Sequence, residues 1–148
     1  MFLLLGFLFV VLGQCFCLPL GNITDCGSTA TITHVSMSGC DYTPCHMTGG
    51  QSYTGYTVFT PRHNHNEAHF MVSGIIRGED IPVKPRNNIC GHGLNCPLQA
   101  GQQYNLTVTY DFPSYPNASQ HLNVAGKYYL KDENDINIIC VVLAIIFE

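Results

Sequence analysis

The sequence predicts an all-β domain, a β-sandwich of six or more short strands. Three observations carry this expectation. Runs of strand-forming residues alternate with turn signals along the chain. No window of useful length has helical periodicity. Six cysteines occupy the body of the chain, at Cys26, Cys40, Cys45, Cys90, Cys96 and Cys140. An even set behind a secretory-type leader reads as a disulfide framework, which persists only in an oxidising compartment.

The leader is residues 1–17. Phe2 to Leu12 is almost wholly apolar, too short to span a bilayer but suited to the core of a signal peptide. Cys15 and Cys17 supply small residues before a cut ahead of Leu18. That leaves 18–148 as one domain of roughly 130 residues, enough for one real core. No repeat, low-complexity linker or composition break divides it.

Strands are expected over 29–37, 52–60, 68–77, 103–112, 122–130 and 136–147. The fourth is the clearest. Tyr104, Leu106, Val108, Tyr110 and Phe112 share one face, and Asn105, Thr107, Thr109 and Asp111 the other; period two puts the first set inside. Leu122, Val124, Tyr128 and Leu130 repeat the pattern, with Asn123 and Lys127 opposite. From Ile138 to Phe147 every residue is apolar, so both faces of the last strand call for burial. Such a strand belongs either to a filled sandwich core or to the wall of a cavity.

Composition narrows the function classes. Charged residues make up 11% of the chain and the formal charge is −4, which argues against a nucleic-acid partner. No polybasic run points to anionic lipid. Asn22, Asn105 and Asn117 each begin an Asn-X-Ser/Thr sequon, a potential glycan site in a secreted protein.

Catalytic and metal motifs are weak. His63, His65 and His69 fall in Arg-His-Asn-His-Asn-Glu-Ala-His, whose spacing fits no standard zinc site; a solvated hairpin loop is expected there. Seven histidines could couple binding to acidity, although scattered histidines more often have no such role. Cys90-Gly-His-Gly-Leu-Asn-Cys96 suits a disulfide better than a metal knuckle in an oxidising compartment. No nucleophile elbow, HExxH motif or phosphate loop is present, so neither an enzyme nor a cofactor is expected. Many cysteine pairings are open from sequence alone; proximity ranks Cys40 with Cys45 and Cys90 with Cys96 first, leaving Cys26 for Cys140.

The chain resembles the ML lipid-recognition family and, within it, the Niemann–Pick type C2 proteins. The resemblance rests on Asp25-Cys26-Gly27-Ser28, Gly50-Gln51-Ser52-Tyr53, Asn95-Cys96-Pro97-Leu98-Gln99 and the stretch from Tyr128 to Cys140, together with the order of the six cysteines. It implies an immunoglobulin-like β-sandwich with a lipid cavity between splayed sheets. It also implies the pairs Cys26–Cys140, Cys40–Cys45 and Cys90–Cys96. Carried over by position, the ligand-binding residues would be Met37, Tyr53, Ile81, Val83, Phe112, Tyr115, Tyr128, Val141 and Leu143.

The implied ligand is a small apolar molecule, a sterol first. Fatty acids or other linear signalling lipids are the alternative, and an innate-immune glycolipid-recognition subunit is another. The implied protein is a secreted monomer, extracellular or in the endosomal or lysosomal lumen, with a membrane lipid-transfer receptor as a candidate partner. Two departures bear on the ligand. Glu79 and Asp80 make the entrance segment more polar than in sterol carriers, and Val83 stands where sterol binders have a large aromatic. Smaller residues at the mouth favour a longer, more flexible chain.

Overall fold

The computed structural model describes residues 23–112, 114 and 121–148. Among the described residues nine strands form two sheets. In chain order they are β1 (Thr24–Asp25), β2 (Thr31–Met37), β3 (Cys45–Met47), β4 (Ser52–Thr60), β5 (His69–Ile76), β6 (Glu79–Asn88), β7 (Tyr104–Asp111), β8 (Leu122–Lys131) and β9 (Asn137–Phe147). The larger sheet runs β1-β9-β8-β5-β6, with β3 added parallel to the end of β9; the smaller runs β2-β4-β7. Among the described residues there is no helix, hence none long and apolar enough to cross a membrane.

All six expected strands form, each within two residues of its expected ends. On β7, Leu106 is buried while Asn105, Thr107, Thr109 and Asp111 are exposed, as period two requires. On β8 Gly126 and Leu130 are buried, but so is Tyr129 of the opposite face, under the Lys127 and Lys131 ammonium groups; Leu122 is exposed because it lies at the sheet's end, paired with Phe147. Strand β9 carries Ile139, Val141, Leu143, Ile145 and Phe147 inward, all buried; on its outer face only Ala144 is exposed.

Strand β6 was not expected, because Pro82, Pro85 and four charges mask it. It is an edge strand, hydrogen-bonded to β5 alone among the described strands. An edge tolerates prolines, since one side of the backbone needs no partner. The two-residue turn Arg77-Gly78 produces it: Ile76 pairs with Glu79, and both turn residues have positive φ, 53° and 83°. That is the turn geometry that matches strand twist in a tight hairpin.

The disulfides join Cys26 to Cys140, Cys40 to Cys45 and Cys90 to Cys96. Around the first, the Asp-Cys-Gly-Ser motif acts as a clasp. Asp25 accepts the backbone N–H groups of Gly27 and Ser28, and the Ser28 hydroxyl accepts the Cys140 N–H at 2.8 Å. The core falls into two clusters. Phe59, Leu98, Leu130, Ile138 and Ile139 centre one; Met47, Leu143, Ile145 and Phe147 centre the other.

The segment around His65 departs from the solvated loop that its polar neighbours suggest. His65 is buried, and its Nδ1 lies 2.9 Å from the equally buried carboxylate of Asp132. The Asp132 carboxylate also accepts the N–H groups of Asn134 and Ile136. Burial alone would raise its pKa, but the bonds from Ile136, His65 and Asn134 outweigh it and hold the group below its ordinary value.

Candidate functional site

A cavity lies between the two sheets, walled by residues of both core clusters. Strand β2 supplies Val35 and Met37, β3 supplies Met47, and β4 supplies Tyr53 and Thr57. The opposite walls come from Phe70 and Val72 of β5, Leu106 and Val108 of β7, and Leu143 and Ile145 of β9. Its volume is about 80 Å³. Two glycines, Gly55 and Gly126, line it without filling it. A Cβ on Gly126 would stand 2.5 Å from Ile145 Cδ1, so the glycine makes room for the Ile145 side chain against the sheet.

Three hydroxyls of the wall have partners within the protein. The Tyr128 and Thr57 hydroxyls hydrogen-bond at 2.8 Å. Burial pushes the Tyr128 phenol up to about 12, against the smaller opposing effect of the Thr57 bond. The Tyr53 hydroxyl accepts the backbone N–H of Thr48 at 2.8 Å, which holds its ring at one end of the cavity. That end is closed by aromatic packing: Phe112 makes edge contacts with Tyr53 and Tyr110 and a tilted contact with Phe147. The Gly50-Gln51 turn fixes Phe112 through Gly50 N–H to Phe112 O and Phe112 N–H to Gln51 O.

A second, open cleft of about 540 Å³ adjoins the cavity between the facing edges β6 and β7. Gly74, Ile76, Ile81, Val83 and Lys84 line it on one side and Thr109, Tyr110 and Asp111 on the other. Tyr110 lines both spaces. Gly74 and Gly126 are register partners on adjacent strands, with the Val83 side chain over the first and the Ile145 side chain over the second.

The structure therefore distributes the residues expected from sequence. Met37, Tyr53, Phe112, Tyr128 and Leu143 come together around the cavity. Ile81 and Val83 line the outer cleft instead, 43% and 41% exposed. Val141 is not at the cavity; it is buried in the neighbouring core cluster, because that stretch of β9 faces a part of the sandwich that closes completely. Tyr115, Asn22 and Asn117 lie outside the described residues. Asn105 is exposed on the outer face of β7. Among the described residues no three His, Cys, Asp or Glu side chains come together as a metal site.

Sequence reasoning missed Val35, Met47, Phe70, Val72 and Ile145 as cavity residues. Alternation could have placed all but Met47 inside, but nothing local separates a cavity wall from a filled core. It also missed Tyr110, which the period of β7 had already put on the inner face.

Comparison with known proteins agrees with this architecture. An ML domain family model matches residues 22–147. A bovine (Bos taurus) protein named NPC intracellular cholesterol transporter 2 is 29% identical over 145 residues, covering 94% of this chain and 93% of its own. The mouse (Mus musculus) protein of the same name is 30% identical over 125 residues, covering 80% and 79%. The crystal structure of a Niemann–Pick type C2 protein from Japanese carpenter ant superposes with a TM-score of 0.75 at 20% identity, covering 85% of this chain and 98% of that one. With two sheets, three disulfides and a cavity between the sheets, and a family match spanning nearly all the described residues, the chain belongs to the ML domain family.

Proposed function

We propose that this protein is a secreted, monomeric lipid-binding and transfer protein. It holds one apolar ligand between its sheets and passes it to a membrane or a lipid-transfer receptor. The observation that carries this reading is the cavity, whose walls are apolar and whose Thr57 and Tyr128 hydroxyls are hydrogen-bonded to each other. Such a space offers nothing to water or a polar metabolite. A hydrocarbon placed there gains about 0.8 kcal/mol per buried CH₂, so a ligand of about a dozen methylenes needs no charge to bind.

The cavity is far smaller than the roughly 300 Å³ at the low end of ligand sites. Occupancy therefore requires the lining to move. Met37 and Met47 are suited to this, because methionine is unbranched and repacks easily. The relatives named as cholesterol transporters support a sterol as cargo. A linear lipid is the second reading, favoured by a narrow cavity that shares Tyr110 with the outer cleft.

Secretion rests on the apolar leader, for which we retain residues 1–17 as a signal peptide and 18–148 as the domain. The six paired cysteines fit an oxidising compartment, extracellular or in the endosomal or lysosomal lumen. Asn105 is positioned to carry a glycan, since its side chain faces away from the core. The proposed role requires no bond to be made or broken.

Native mass spectrometry of the protein secreted from eukaryotic cells, followed by organic extraction, tests the reading. One lipid per protein supports it, and the identity of that lipid separates sterol from linear cargo. A folded protein that arrives empty and then refuses sterols, fatty acids and glycolipids overturns it.

A further inference from the structure

We infer that the core sugars of an N-glycan on Asn105 lie in a polar cleft beside the Cys90–Cys96 loop and screen that disulfide from reductants. The inference draws only on the secreted part of the proposed function and is independent of the cargo.

Asn105 begins the sequon Asn105-Leu106-Thr107 near the start of β7. Asn105 and Thr107 are both exposed, on the opposite face from buried Leu106. An open cleft of about 390 Å³ lies between this end of β7 and the loop closed by Cys90 and Cys96. Asn105 itself lines the cleft.

The lining is unlike that of the lipid cavity. Asn95, Gln102 and Gln103 bring side-chain amides to it, and none of these amides makes a hydrogen bond among the described residues. Each can both donate and accept. Pro97 and the Tyr104 ring add apolar surface; the Tyr104 hydroxyl is already committed, accepting the Gln99 N–H at 2.8 Å. On the loop side, a Cβ on Gly93 would meet nothing beyond its chain neighbours within 4 Å, so the space beside the backbone is open.

An N-acetylhexosamine matches these walls. Its hydroxyls and acetamide can exchange hydrogen bonds with the amides, and its ring carbons can pack on proline and tyrosine. Exposed hydrogen bonds gain little over water, so a free sugar would not stay. A sugar joined to Asn105 is already at the cleft, and a tethered group binds at a high effective concentration. The chain thus supplies the occupant itself.

The consequence falls on Cys96, which lines the same cleft and is half-buried. The other short-loop disulfide is enclosed by protein, with Cys40 7% and Cys45 1% exposed. Thiol–disulfide exchange requires a thiolate to reach a sulfur. Sugars over Cys96 would do there what packed side chains do at Cys45.

The test uses the full protein secreted from eukaryotic cells, with Asn105 occupancy read by glycopeptide mapping. Thr107→Val deletes the sequon but keeps Asn105 and a β-branched residue on the strand; Thr107→Ser keeps the sequon. Dithiothreitol is oxidised to its cyclic disulfide as it converts each cystine into two cysteine thiols, which are alkylated and quantified over time. Thr107→Val is expected to speed reduction of Cys90–Cys96 about tenfold, through access alone. Cys40–Cys45 should be unchanged, and Thr107→Ser should match the wild type. Asn95→Ala combined with Gln103→Ala, with the glycan still attached, should accelerate the same bond, which would not follow if the glycan merely projected into solvent. Four results overturn this inference and leave the lipid carrier standing: a secreted protein with Asn105 unmodified, an unchanged Cys90–Cys96 rate in Thr107→Val, an equal change at Cys40–Cys45, or a double variant that behaves as wild type. A chain that never enters the secretory pathway overturns it together with the secreted reading.

Discussion

The hydroxyl pair of Thr57 and Tyr128 offers a test of how dry the cavity wall is. Thr57 is 3% exposed, and its hydroxyl meets that of Tyr128 at 2.8 Å. Tyr128→Phe removes one net hydrogen bond and strands the Thr57 hydroxyl; Thr57→Val does the reverse. Losing the bond costs about 1 kcal/mol and leaving a buried partner unsatisfied adds about 1 more, so each single variant should lose about 2 kcal/mol. Replacing both partners by apolar groups of similar shape removes the unsatisfied group as well. The double variant should therefore lose only about 1 kcal/mol, giving a coupling of about 3 kcal/mol. Urea unfolding of the wild type, both singles and the double closes the cycle. Losses that add to within about 0.5 kcal/mol would mean that water reaches these hydroxyls, and the dry-wall argument would fail.

The same tyrosine should govern the alkaline limit. Its folded pKa, about 12, lies above the ordinary 10.0, so between those values the unfolded chain loses a proton that the folded one keeps. Stability is full below pH 10 and falls as pH rises toward 12, by about 3 kcal/mol; Tyr128→Phe should flatten that slope in pH-dependent unfolding. At the acid end, the lowered pKa of Asp132 contributes stability above its ordinary 3.8 that is lost as pH falls through the folded value. Asp132→Ala should cost about 3–5 kcal/mol by urea unfolding, because it breaks a buried pair; a loss below about 1 kcal/mol would show the pair to be solvated. Gly126→Leu should displace the Ile145 side chain, whose Cδ1 lies 2.5 Å from where the new Cβ would stand, and narrow the cavity that both residues line. Lipid binding should drop at least about tenfold with the β-sheet circular dichroism signal retained, and unchanged affinity would remove the cavity from the account.

Much of the fold was legible because alternation is a local signal. Tyr104 to Phe112 displays its inner face residue by residue, and β9 announces a two-sided burial through its unbroken apolar run. Strand β6 was not legible in that way. Its pairing with β5 depends on the Arg77-Gly78 turn, and Pro82 and Pro85 mimic a loop. Strand β3, three residues long, is fixed by its neighbour β9 rather than by any pattern of its own.

The site was only partly legible for a different reason. Period two tells which face is inward, not whether the inward space is filled. Val141 and Leu143 look alike in sequence, yet one packs into solid core and the other borders the cavity. Gly126 leaves room for the Ile145 side chain, a long-range fit that no local pattern displays. His65 gave no sign of burial because its partner, Asp132, lies 67 residues away.

The central claim is that a lipid sits between the sheets, and photo-crosslinking tests it most directly. The lipid-free protein is loaded with a palmitate analogue bearing a diazirine near its methyl end, irradiated and digested. The account predicts label on peptides carrying Met37, Met47, Tyr53 or Leu143, and competition by unlabelled lipid. Label confined to the outer faces of the sheets, or insensitive to competitor, would contradict it.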